Sequence, residues 1–131
     1  MALAQEIEDG IEKFALINGI YAYEVDGLGN ALFIDDANVP SLLSLPYLEV
    51  LPASDPNYLQ TREFILSKKN PYFFSGTKAM GIGSQHTPAN HVWPIAIAVE
   101  ALTSINKDDR AKALDLLENT DAGTGFMHES F

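Results

Sequence analysis

Three short stretches concentrate side chains that can do chemistry: Asp35-Asp36-Ala37-Asn38, the run GIGSQHTPANHVWP from Gly81 to Pro94, and Met127-His128-Glu129-Ser130-Phe131. Adjacent aspartates at a loop-to-helix junction admit two accounts. In one, an Asp caps the helix and its neighbour sits in solvent. In the other, a ligand-facing carboxylate is kept ionised by the positive end of the helix, which suits hydrogen bonding to sugar hydroxyls better than proton donation. In the second stretch, Gly81 and Gly83 allow close backbone approach, and Gln85, His86, Asn90, His91 and Trp93 crowd into nine positions. A flat apolar face beside fork-like polar groups is what a carbohydrate pocket needs, although a glycine turn followed by a helix cap and a core Trp would read the same. In the third stretch, Glu129 lies in a Gly-rich, aromatic-bounded loop, where it is either part of an exposed tail or a general base. An inverting glycosidase needs two carboxyls about 6.5–9.5 Å apart with a water between base and sugar. His86 and His91 are five positions apart rather than the four that align two ligands on a helix, with Pro88 between them, so they make a weak metal motif. A metal-dependent hydrolase using His86, His91 and His128 is the third functional alternative.

Composition narrows the partners. The chain has 131 residues, 18 acidic against 8 basic, a net charge of −10 and 47% hydrophobic residues. That is at most one globular domain at about 100–200 residues per domain. Ten excess negative charges repel a phosphate backbone, so neither nucleic acid nor an anionic membrane surface is expected. The absence of cysteine removes disulfides, thiolate metal sites and cysteine nucleophiles. No signal-peptide or membrane-spanning run is visible, which favours a cytoplasmic location. No serine elbow, phosphate loop or basic patch competes with the three stretches.

The elements that must position these residues read as mostly helical. Leu3, Ile7, Ile11 and Phe14 recur at spacings of four, four and three, which predicts a helix between Leu3 and Ile17. Tyr21, Tyr23 and Val25 alternate before the turn formers Asp26, Gly27, Gly29 and Asn30, predicting a short strand or hairpin, or an extended loop. A helix of about two turns is expected between Pro40 and Pro46, capped by Asp36 or Asn38. Asp55-Pro56 starts a helix running to about Ser67, with Tyr58, Arg62, Ile65 and Leu66 on one side. Asn70 to Asn90 reads as a long loop. Thr87-Pro88 then starts a helix with the stripe Val92, Ile95, Ala96, Val99 and Leu102, bent at Pro94, and Asn106 caps a last one with Arg110, Ala113, Leu114 and Leu117 on a shared face. The fold class is all-α: about five helices with long loops gathered at one end and one short strand or hairpin. Five apolar faces need neighbours, so residues 1–131 read as a single incomplete domain that is prone to self-association.

YAYEVDGLGN, IDDANVPSLLSLPYL, DPNYLQTREFILSKKNPYFFSG, GIGSQHTPANHVWPIAIAVEALTS and GFMHESF, in this order, resemble the family 125 glycoside hydrolases from Tyr21 to Phe131. The resemblance implies the C-terminal active-site portion of an (α/α)6 toroid and an inverting, exo-acting, metal-independent α-1,6-mannosidase with no cofactor. It implies α-1,6-linked mannosides, from N-glycans or mannans, as substrates. It places the general base at Glu129 in the HES motif, and puts Asp35, Asp36, Asn38, Gln85, His86, Trp93 and His128 at the sugar. The family's general acid belongs to an Arg-Pro-Ser-Asp-Asp stretch that does not occur in these 131 residues. A non-catalytic fragment with weak mannoside binding is therefore the competing expectation.

Overall fold

The structure is a computed structural model that describes residues 2–131. Helix α1 spans Ala2–Phe14. A hairpin follows, of β1 (Leu16–Ile17) and β2 (Ile20–Tyr21), then a second of β3 (Glu24–Val25) and β4 (Ala31–Leu32). Helix α2 (Pro56–Ile65) precedes a third hairpin of β5 (Phe73–Ser75) and β6 (Met80–Ile82), and helices α3 (Pro94–Thr103) and α4 (Lys107–Glu118) complete the order. The described residues thus hold four helices and three antiparallel strand pairs, where the sequence predicts about five helices and one hairpin.

The differences have local causes. The first hairpin turns at Asn18 (φ 53°) and Gly19 (φ 80°), and two successive positive φ values are what a right-twisted two-residue turn requires. That turn ends the first helix at Phe14. The two-turn helix expected between Pro40 and Pro46 is absent. Side chains compete for its amides: Leu42 and Leu43 donate to the Asp35 carboxylate, Ser41 N donates to Ser44 Oγ, and Ser44 N is shared between the Ser41 carbonyl and Ser41 Oγ, leaving only isolated turns. The 70–90 segment is not one loop, because Phe73 pairs with Ile82 and Ser75 with Met80. The third helix starts at Pro94 rather than Thr87, since Asn90 adopts φ 68° and Pro94 occupies the first helical position instead of bending a helix already begun.

Two helices begin where the sequence predicts. Asp55 Oδ1 accepts from the amides of Asn57 and Tyr58 at 2.9 Å each, and Asn106 Oδ1 accepts from Asp108 N at 2.8 Å. Helix α2 buries Tyr58, Thr61 and Ile65, while Arg62 donates to Thr103 Oγ1 and the Glu100 carbonyl on α3. Helix α4 packs on α3 through Ala113, Leu116 and Leu117; Leu114, expected on this face, is exposed. The main core joins Tyr21, Leu42, Leu43, Ile65, Ile82, Ala96 and Val99. The face of α1 stays uncovered, with Leu3 69%, Ile7 55%, Ile11 40% and Phe14 52% exposed.

Candidate functional site

The three chemically rich stretches meet through their backbones. Gly83 N donates to Tyr72 O (2.8 Å), Ala37 N donates to Gly83 O (3.1 Å), and Trp93 N donates to Ile82 O (3.1 Å). Val92 and Phe131 exchange both amide bonds, at 2.9 and 3.0 Å. Residues 35–38, 82–84, 91–93 and 129–131 are therefore held together, although they lie up to about a hundred positions apart in sequence. Only glycine fits at position 83, because a Cβ there would lie 2.1 Å from His91 O and 2.6 Å from the Phe74 ring.

Within this assembly the two aspartates differ. Asp35 is fully buried, and its Oδ1 and Oδ2 accept from Leu42 N (2.9 Å) and Leu43 N (3.1 Å). Burial pushes its carboxyl up to about 7, against the opposing pull of those amides and with a further rise from Asp36. Asp36, 3% exposed, accepts from Asn38 N (3.2 Å) and Asn38 Nδ2 (2.6 Å) on Oδ1, and from Ser84 Oγ (3.2 Å) on Oδ2. Neither aspartate caps a helix. Tyr23 lies beside both; burial, then the charges of Asp36 and Asp35, raise its phenol above the ordinary range.

Ser84 Oγ also accepts from His86 N at 3.2 Å, leaving the His86 side chain, like that of Gln85, exposed. Trp93 is half-buried and donates from Nε1 to Thr87 Oγ1 at 2.9 Å. His91 Nδ1 lies 3.1 Å from Ser130 Oγ, which ties the Glu129 segment to the second stretch; Glu129 itself is exposed. His128 is engaged within its own loop, with Nε2 3.0 Å from the Asp121 carbonyl and 3.3 Å from Thr124 Oγ1. The Asp121 carboxyl is held below its ordinary range by the amides of Gly123 and Gly125, with a smaller contribution from His128. The three histidines do not assemble: among the described residues no three His, Asp or Glu side chains converge on a point that could hold a metal ion.

Two organising residues escape a reading of the sequence. Ser84 joins the first stretch to the second. Asn70, which in sequence only marks a helix end, is 1% exposed and fully engaged: Nδ2 donates to Asp35 O (3.0 Å) and Ile65 O (3.1 Å), and Oδ1 accepts from Asp35 N and Tyr72 N, both at 3.2 Å. Nothing local distinguishes either from an ordinary loop residue.

The chain is 47% identical over 133 residues to the meiotically up-regulated gene 157 protein of Schizosaccharomyces pombe, covering 97% of this chain and 26% of that protein. It superposes with a TM-score of 0.94 and 48% identity on a metal-independent alpha mannosidase of Streptococcus pneumoniae, solved as a non-productive substrate complex with alpha-1,6-mannobiose. That match covers 99% of this chain and 32% of the mannosidase. The chain thus spans about a quarter to a third of the length of these relatives. The family model for metal-independent alpha-mannosidase (GH125) matches residues 1–131 throughout, and the chain belongs to that family of glycoside hydrolases.

Proposed function

We propose that this chain forms part of the active site of an inverting, exo-acting α-1,6-mannosidase, within an (α/α)6 toroid. The observation that carries the reading is the backbone assembly of residues 35–38, 82–84, 91–93 and 129–131, which gathers sugar-suited side chains beside an exposed carboxylate. The alpha-1,6-mannobiose bound by the pneumococcal relative supports the linkage.

In this reading Glu129 is the general base. It takes a proton from water as the water oxygen attacks the anomeric carbon, on the face opposite the departing glycosidic oxygen. A carboxylic acid from outside these 131 residues gives its proton to that oxygen, and the C–O bond breaks with inversion. Asp36, Asn38, Gln85, His86, Trp93 and His128 line the sugar site, Trp93 offering an apolar face and the others hydrogen bonds. No metal is assigned to the reaction, in keeping with the family's metal independence.

The test is Glu129→Gln in the full-length protein, assayed on α-1,6-mannobiose. Loss of the base lowers kcat by about two to four decades while KM stays within a few-fold. Turnover within threefold of the parent removes Glu129 from the role. NMR of the first product formed reads the stereochemistry: β-mannose agrees with inversion, α-mannose refutes it.

A further inference from the structure

Asp35 is a carboxylate that a ligand cannot reach. Its side chain is fully buried, and each of its oxygens holds one backbone amide, from Leu42 and Leu43. Its own amide and carbonyl are gripped by a single side chain, Asn70. The neighbouring residue is different in kind: Asp36 engages the half-buried Asn38 and, through Ser84, the amide of His86. The amides of the 42–43 turn are thus tied through Asp35 to the residues that border the site.

A buried carboxylate is a poor choice for stability alone, since desolvating the charge costs more than a neutral group of the same shape. Its two oxygens do one thing a neutral group does less well, which is to accept from two amides at once. We infer that Asp35 is a positioning residue of the sugar site: by clasping the amides of Leu42 and Leu43 it fixes the 35–43 segment so that Asp36, Asn38 and Ser84 are presented in register, and it does not itself touch the ligand. The inference rests on the mannoside reading above.

The clasp is sensitive to protonation, because a proton on one oxygen leaves a single good acceptor for two donors. The titratable groups around Asp35 are Asp36 on its own segment and Tyr23 just before β3, with Tyr72 acting on Tyr23. With the Asp35 carboxyl pushed up to about 7, ionisation through neutrality strengthens the two local amide bonds, while the desolvated charge lowers the stability of the fold as a whole.

The experiment uses the full-length protein and Asp35→Asn, which keeps the volume but sets an NH2 group against one of the two amides. KM for α-1,6-mannobiose rises about tenfold with kcat within about threefold, and hydrogen exchange at the Leu42 and Leu43 amides speeds up by a similar factor. In the parent, KM falls between pH 6 and pH 8, and Asp35→Asn flattens that dependence. These parent measurements, with exchange at Leu42 and Leu43 corrected for its intrinsic pH dependence, decide the matter even where the variant does not fold. An unchanged KM in the variant, a fall in kcat alone, or a parent KM flat from pH 6 to pH 8 overturns the proposal. A parent that does not hydrolyse the mannobiose refutes the mannoside reading instead, while exchange at Leu42 and Leu43 still tests the clasp.

Discussion

Replacing Gly83 with alanine places a methyl group where two backbone segments touch. The new Cβ would lie 2.1 Å from His91 O and 2.6 and 2.8 Å from two atoms of the Phe74 ring, whereas real Cβ contacts essentially never fall below 3.0 Å. Phe74 can turn, but a carbonyl in the main chain cannot, so residues 82–84 and 91–93 must part by roughly 1 Å in a close-packed interior. That separation takes the Trp93 N to Ile82 O bond, now 3.1 Å, beyond hydrogen-bonding range. It also distorts the bonds Gly83 makes with Tyr72 and Ala37, at 2.8 and 3.1 Å. At about 1–3 kcal/mol for each buried backbone group left unsatisfied, the expected destabilisation is about 3–5 kcal/mol. The control is Gly76→Ala, whose Cβ would meet only Ala79 O at an ordinary 3.5 Å. Its cost stays below about 1 kcal/mol and can become a small gain through the unfolded chain. Urea unfolding of the two full-length variants side by side is the assay. A Gly83→Ala midpoint equal to that of Gly76→Ala would refute the argument that position 83 is fixed by the His91 carbonyl.

Asp35 titrates near 7 when folded against an ordinary 3.8, so the folded chain holds a proton that the unfolded chain releases. Stability from this group is therefore fully present below about pH 4 and is lost as pH rises to about 7, a change of up to about 4 kcal/mol. Urea unfolding at pH 4.5, 5.5 and 7 reads it as a difference between the parent and Asp35→Asn, and a difference that does not vary with pH contradicts it. Residues 1–131 purified alone should self-associate through the exposed Leu3, Ile7, Ile11 and Phe14 face and should not hydrolyse α-1,6-mannobiose. A monomer in size-exclusion chromatography that turns over the substrate would show that an acid lies among these residues after all.

Where local chemistry decides structure, the sequence is a good guide. Asp55-Pro56 and Asn106 supply caps that compete with nothing else, and α2 and α4 start where those residues predict. Asn18-Gly19 is an equally local turn signal, overshadowed in the sequence by the stronger helical spacing before it. The failures elsewhere come from partners a few residues along the chain that fit no helical or strand spacing. Pro40 to Pro46 has the markings of a helix, but Asp35 captures two of its amides and isolated backbone turns take the place of the helical ladder. Thr87 resembles an N-cap, yet its hydroxyl accepts from the Trp93 indole. The three-residue strands β5 and β6 are defined by pairing with each other more than by any periodicity of their own.

The candidate site divides along the same line. Residue types and glycine spacing single out the three stretches, because carboxylates, imidazoles, an indole and flexible backbone are unusual enough to be conspicuous. Their relation is not conspicuous, since it runs through main-chain bonds that carry no side-chain signature: Ala37 to Gly83, Trp93 to Ile82, Val92 to Phe131. Nor can adjacent aspartates be told apart from types alone. Asp35 and Asp36 diverge only once Leu42 and Leu43 fold back over the first and Ser84, 48 positions away, reaches the second. Asn70 and Ser84 are small polar residues of common kind whose importance lies wholly in what they join. A backbone scaffold holds exposed groups such as Glu129 and His86 at its edge, and a buried carboxylate and amide brace it from behind. Substitutions at the edge should therefore act on chemistry and binding, whereas those at Asp35, Asn70 and Gly83 should act on the scaffold first and reach the ligand only through it.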